Sequence, residues 1–174
     1  VMNCVVNEDS DQEFGIAQSA TTNLDLVLDL SSKEWYAFSD NYGTSEEKAL
    51  VRYINKVYDQ LKANNEKVYL VRNEKHFQLF NFDDGRPLEP DFVLFIIQKD
   101  EPKTVYYQIF IEPKGAHLIE GDRWKEGFLL RLKKEGKTKV LWESKDYRIT
   151  GLPFYNKVLS KQMAEFEKAF GEYL

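Results

Sequence analysis

Two short apolar runs, residues 91–97 and 105–112, constrain the fold most strongly, and the polar stretch QKDEPKT separates them. Runs of this length bounded by turn residues are typical of buried β-strands. A turn centred near Glu101 and Pro102 would join them into an antiparallel hairpin, in which the numbers of facing residues sum to about 203. The sequence therefore predicts that Asp91 faces Glu112, with Cβ atoms roughly 4.5–5.5 Å apart.

Charged residues gather at one end of this predicted hairpin. Lys114 lies two residues after Glu112 and so shares its face of the strand. Directly opposed carboxylates are destabilising unless positive charge lies between them, and carboxylate oxygens suit Mg²⁺ or Mn²⁺. Such an ion with a nearby lysine is chemistry for phosphodiester hydrolysis, in which the lysine positions or activates water or offsets transition-state charge. The alternative is that these residues are charged because strand ends are solvated.

A third carboxylate belongs to a predicted amphipathic helix over residues 44–65. Glu47 lies three, four and seven positions before Leu50, Val51 and Ile54, within the apolar stripe. A carboxylate there requires a partner or a metal. Thr44 and Glu47 also form a T-x-x-E capping box, which explains the residue by local hydrogen bonding. The two interpretations are compatible.

The remaining patterns predict one domain over residues 1–174, with residues 1–22 partly loose. We expect a half-buried strand at 23–30, a hairpin formed by KVYLVR and FQLFNF, and a turn at DDGRP. Helices are predicted at 120–135 and 156–172, a strand at 138–144 and an extended piece at 147–155. A central sheet with helices packed on it is the simplest architecture.

Composition excludes several classes of protein. The formal net charge is -5, so there is no global basic field to attract nucleic acid or an acidic membrane. The single cysteine, Cys4, excludes an internal disulfide, and with two histidines it leaves little for a zinc site. No apolar run approaches the roughly 20 residues of a membrane span. We therefore expect a cytoplasmic protein without membrane contact.

The stretches EPDFVLF and YYQIFIEPKG resemble the PD-(D/E)XK nuclease motif. The longer run from TSEEKALV to DRWKEGFL resembles the C-terminal endonuclease domain of the restriction (Res) subunit of type III restriction enzymes. The resemblance covers roughly residues 40–155. It implies a restriction-endonuclease-like α/β fold, in which a central mixed sheet is flanked by helices, and Mg²⁺-dependent cleavage of double-stranded DNA.

The resemblance also implies roles for individual residues. Asp91 and Glu112 would be metal ligands, Lys114 the catalytic lysine, and Glu47 the acidic residue of the first helix. Such subunits act with an ATP-driven helicase and a modification methyltransferase. No G-x-x-x-x-G-K-[ST] loop occurs in this chain, so ATP would act only through a motor upstream in a longer protein, of which this chain would be a C-terminal fragment.

Two sets of basic residues are candidates for contact with DNA. Arg123 and Lys125 follow the Glu-x-Lys strand closely and are the better phosphate candidates. The run RLKKEGKTK at 131–139 is also basic, but a charge run at a helix end is commonly solvated surface. Two other functions stay open: a non-catalytic DNA-holding or docking domain on the same scaffold, and a hydrolase acting on another phosphorylated substrate.

Overall fold

A computed structural model describes residues 15–81, 83–100, 103–134, 139–142 and 145–174. Cys4, most of the segment predicted to be loose, and the hairpin turn at Glu101 and Pro102 lie outside these ranges. Every helix in these ranges is too short or too polar to span a bilayer.

A five-stranded mixed sheet forms the centre of the fold. Its strands are β1 (Lys67–Arg72), β4 (Phe92–Asp100), β5 (Lys103–Ile111), β6 (Lys139–Trp142) and β7 (Lys145–Gly151). The spatial order is β1-β4-β5-β7-β6, in which β5 and β7 are parallel and every other neighbouring pair is antiparallel. The prediction of an α/β fold with a central mixed sheet and helices is confirmed.

The hairpin of β4 and β5 has the predicted register. Phe92 faces Ile111 and Asp100 faces Lys103, so the facing numbers sum to 203 throughout. Asp91 comes immediately before β4 and Glu112 immediately after β5, at the end of the strand pair where Phe92 faces Ile111.

Helices cover both faces of the sheet. On one face, α1 (Ser45–Asn64) and α3 (Ser160–Phe170) bury Leu50, Ile54 and Phe166 against β1, β4 and β5. On the other face, α2 (Ile119–Lys134) buries Phe128 and Leu129 against Val93 and Phe110. Successive strand residues point to opposite faces, and the apolar run of β4 is therefore continuous rather than alternating.

The helix predictions hold with one adjusted boundary. Thr44 caps α1, and both hydrogen bonds of the predicted capping box are present. The last helix begins at Ser160 rather than near 156, because the Asn156 side chain accepts the N–H groups of Val158 and Leu159 and holds that segment as a turn.

The strand predicted at 23–30 is wrong. Residues 24–26 form a turn, in which the side chain of Asn23 accepts the Asp25 N–H. Leu26 and Leu30 are buried but Leu24 is 84% exposed, so the alternation of leucines does not correspond to one buried strand face. Local side-chain hydrogen bonding by Asn and Asp competes here with strand pairing.

The predicted hairpin of KVYLVR and FQLFNF is also wrong. The first segment is β1, which pairs with β4 instead. In the second, β2 (Leu79–Phe80) pairs with β3 (Pro87–Leu88) across the predicted DDGRP turn, where Gly85 has a φ of 70°. Long-range burial of β1 against the central hairpin outweighs the nearer partner in sequence.

Candidate active site

The β4–β5 hairpin brings Asp91 and Glu112 together. The backbone N–H of Asp91 donates to Oε2 of Glu112 at 3.1 Å, so the two residues lie side by side as the register requires. Glu112 is only 2% exposed, and Asp91 is partly buried. Two carboxyl groups thus share the end of one strand pair.

Lys114 completes the cluster. Its Nζ lies 2.9 Å from Oε1 of Glu112 and 3.0 Å from Oδ2 of Asp122, which belongs to the first turn of α2. Burial lowers the pKa of Lys114, but Glu112 and Asp122 outweigh this effect and raise the pKa above its ordinary value. The ammonium group is therefore charged at neutral pH.

A second chain segment fixes the backbone that carries Glu112 and Lys114. The Lys114 N–H donates to the Tyr155 carbonyl at 2.9 Å, and the Tyr155 N–H donates to the Glu112 carbonyl at 3.0 Å. The Asn156 side chain donates to the Lys114 carbonyl at 2.7 Å. These bonds continue the strand beyond Pro113, which has no N–H of its own to donate.

Glu47 has the two roles that the sequence left open, as a cap and as a buried acid with a partner. Its Oε2 accepts the Thr44 N–H at 3.1 Å and lies 3.1 Å from Nη2 of Arg72 at the end of β1. Burial raises the pKa of Glu47, Arg72 and the Thr44 N–H oppose that rise, and the nearby Glu112 adds to it.

Asp91 lies in an environment that disfavours its charged form. Burial raises the pKa of its carboxyl well above the ordinary value, and the negative charges of Glu112 and Glu47 raise the pKa further. Lys114 and Arg72 partly compensate. Such a carboxyl favours either a proton or a cation beside it.

Sequence reasoning missed Arg72, Asp122 and Glu46. Arg72 ion-pairs with Glu47 and Glu74, each at 3.1 Å, and donates to the Asn41 side chain. Glu46, in the first turn of α1, is half-buried. A Cβ placed on Gly115 would lie 3.6 Å from Glu46 Oε1, so Glu46 reaches the chain just beyond Lys114. For Asp122 the sequence holds one signal: it lies three residues before Lys125 in the predicted helix, a spacing that favours an ion pair.

The two residues predicted to contact phosphate, Arg123 and Lys125, have different ion-pair partners. Arg123 is bound by Glu120 on its own helix, at 2.6 and 3.0 Å. Lys125 lies 3.1 Å from Asp122 and is connected through it to Lys114. Only Lys125 is thus linked to the carboxylate cluster by these contacts.

Asp91 and Glu112 offer carboxylate oxygens, the ligand type that hard divalent cations prefer. Each Glu112 oxygen accepts one hydrogen bond and retains a second lone pair. Mg²⁺ is commonly bound by one or two carboxylates and keeps several waters. Across the described ranges, no group of three or more His, Cys, Asp or Glu side chains is arranged to hold a metal.

Comparison with known proteins identifies relatives without a described activity. Residues 17–173 match the family described as HI_1054_C, C-terminal domain. An uncharacterized protein of Haemophilus influenzae is 40% identical over 150 residues, which are 80% of this chain and 32% of that protein. The chain thus spans about a third of this longer relative. No solved structure matches. The match over nearly the whole chain shows that this protein belongs to the HI_1054_C C-terminal domain family.

Proposed function

We propose that this domain is a Mg²⁺-dependent DNA endonuclease of the PD-(D/E)XK type, with a restriction-endonuclease-like fold and a role like that of a type III restriction enzyme. The observation that carries the proposal is the convergence of Asp91, Glu112 and Lys114 at one end of the β4–β5 hairpin. The acidic α1 residue, Glu47, contributes negative charge to the same cluster.

In the proposed hydrolysis each residue of the cluster has a different role. Asp91 and Glu112 would hold Mg²⁺, or Mn²⁺ in its place, and the bound ion would polarise the phosphoryl oxygen and favour hydroxide. Lys114, whose raised pKa keeps it protonated, acts as a fixed positive charge beside the developing phosphorane charge rather than as a general base. Asp122 holds the Lys114 ammonium at 3.0 Å and is a positioning residue.

The wider assembly is part of the proposal. The longer relative and the family's description as a C-terminal domain fit a nuclease unit at the end of a larger protein. An upstream helicase would supply ATP-driven movement on double-stranded DNA, and a methyltransferase subunit would protect modified sites. These partners follow from the resemblance of the motif.

Cleavage by the longer protein that contains this domain tests the proposal. With Mg²⁺ and plasmid DNA, we expect Lys114→Ala to lower the nicking rate about 10²–10³-fold, the usual cost of losing one preorganised electrostatic contact. Lys161→Ala, which removes an exposed lysine of α3 that pairs with Glu165, is the control and should retain most activity. Equal cleavage by wild type and Lys114→Ala eliminates Lys114 as a catalytic residue.

A specific observation favours a second candidate, a non-catalytic DNA-holding or docking domain. Both Glu112 oxygens are already hydrogen-bonded, and Lys114 is ion-paired on both sides. In that case the ion pairs of the cluster stabilise the fold and bind no cation, a role that we call an electrostatic brace. Titration with Mn²⁺ separates the two: binding that Glu112→Gln abolishes supports the nuclease, whereas no binding by wild-type protein supports the brace.

A further inference from the structure

An open groove of about 560 Å³ runs along α1 on the side of Tyr155. Its lining includes three cationic side chains, Arg52, Lys56 and Lys157, and a single acidic one, Asp25. This balance is the reverse of that of the whole chain, whose formal net charge is -5. The groove is therefore a local positive surface on an acidic protein.

The α1 residues of the groove share one helical face. Ala49, Arg52, Tyr53 and Lys56 are spaced at i, i+3, i+4 and i+7. From Glu47, which lies beside the carboxylate cluster, α1 reaches Lys56 nine residues later, a rise of about 13–14 Å. Successive phosphates of one strand of B-DNA are about 3.4 Å apart along the axis, so this length corresponds to about four phosphates.

Tyr155 joins the groove to the candidate active site. Its hydroxyl donates at 3.2 Å to the carbonyl of Ala49, which also lines the groove. Its backbone bonds to both Glu112 and Lys114, and Lys157 lies two residues further along the chain. The segment from Tyr155 to Lys157 therefore contacts the candidate active site through its backbone, and Tyr155 and Lys157 line the groove.

The lysines of the groove differ from the basic residues of α2. Lys56 and Lys157 are exposed, and no acidic side chain in the described ranges forms an ion pair with either. Arg123 and Lys125 are instead held by Glu120 and Asp122. Anion binding in the groove therefore requires no existing ion pair to break.

We propose that this groove binds the phosphodiester backbone of the DNA strand that approaches Asp91, Glu112 and Lys114. Arg52 is held in place by the Val27 carbonyl, to which its Nη1 donates at 2.6 Å. The half-buried Tyr53 adds a hydroxyl that can donate a hydrogen bond to a phosphate oxygen. The inference rests on the proposed nuclease function and extends it by placing the substrate along α1 rather than over α2.

Fluorescence anisotropy with a labelled duplex oligonucleotide tests the inference, using the chain without divalent metal across a salt series from about 50 to 300 mM. Each phosphate contact contributes a slope of about 0.9 in log affinity against log salt, which is about 8-fold at 0.1 M. We expect the double variant K56Q/K157Q to lose about 60-fold in affinity at 0.1 M salt and to reduce the slope by about 1.8. The control K161Q/K168Q removes two exposed lysines of α3 and should bind as wild type does.

Three results would overturn the inference: equal losses in both double variants, no loss in either, or no binding of DNA by the wild-type chain. The Mn²⁺ titration of Asp91 and Glu112 is independent of all three. Retained DNA binding by K56Q/K157Q together with metal binding would refute the groove and leave the nuclease proposal standing. Loss of affinity in K56Q/K157Q without any Mn²⁺ binding would keep the groove as a DNA site and remove the nuclease.

Discussion

Gly43 controls the position of Glu47, and we expect the substitution Gly43→Ala to disturb both the fold and the candidate site. A Cβ at this position would lie 2.0 Å from Glu47 Oε2, 2.7 Å from Glu47 Cβ and 2.9 Å from Arg72 Nη1. The oxygen alone could rotate away, but the contact with Glu47 Cβ requires the first turn of α1 to shift. The close approach of the chain before the helix thus depends on glycine.

The magnitude follows from the bonds that Glu47 would lose. Its carboxylate accepts the Thr44 N–H and pairs with Arg72, whose side chain is 12% exposed. Loss of a helix-capping bond costs about 1 kcal/mol, and leaving a partly buried charged group without its partner costs roughly 1–3 kcal/mol. Alanine regains about 0.4–1 kcal/mol by restricting the unfolded chain. We expect a net loss of about 2 kcal/mol in the free energy of unfolding.

Thermal and urea unfolding measure this loss. For a chain of this size, about 2 kcal/mol lowers the Tm by about 4–8 °C. Gly121→Ala in α2 is the control, because no atom lies within 4 Å of its added Cβ and a helical glycine-to-alanine change gains about 0.5–1 kcal/mol. An unchanged or raised stability of Gly43→Ala would refute the claim that Glu47 is held by this close approach.

Two further predictions concern the close packing at Gly151 and the charge of Asp91. Gly151→Ala should cost roughly 1–3 kcal/mol in urea unfolding, because the new Cβ would lie 2.6 Å from the Leu129 carbonyl oxygen, whereas Gly127→Ala meets no atom within 4 Å and should be neutral or stabilising. Asp91→Asn should be more stable than wild type at pH 8 in EDTA. The pKa of Asp91 in the folded state lies above its ordinary value near 3.8, which applies to the unfolded state. The stability of the wild type therefore falls as the pH rises from the unfolded-state pKa to the folded-state pKa. The difference in stability between Asp91→Asn and wild type should vanish near pH 4. Equal stability of the two proteins at pH 8 would contradict the assigned burial of this carboxyl.

The site was predictable from sequence where a short-range rule fixed its geometry. The hairpin required only a two-residue period and a turn, so the facing of Asp91 and Glu112 followed from a single register. The Thr44 cap likewise depended on residues three apart. In both cases the residues that determine the geometry are close in sequence or are joined by a short turn.

The errors occurred where long-range pairing decides the outcome. The sequence of β1 contains nothing that favours β4 over the nearer FQLFNF segment. Arg72 was missed for the same reason, since it reaches Glu47 only because β1 lies beside β4 and ends near the start of α1. At 23–30, the alternating leucines indicated a strand, but Asn23 and Asp29 hydrogen-bond to nearby backbone N–H groups and favour turns.

The arrangement of charges helps to explain why this cluster is not an ordinary strand end. A solvated strand end would leave its carboxylates exposed and their pKa values near normal, whereas Glu112 is 2% exposed and burial raises the pKa of Asp91. Lys114 pairs with Glu112 and Arg72 pairs with Glu47, and both positive charges partly offset the rise in the pKa of Asp91. Replacing a buried charge network of this kind by apolar side chains is often neutral or stabilising. Stability alone therefore gives little reason for three carboxylates to converge here, whereas the proposed binding of a cation by Asp91 and Glu112 would account for their placement.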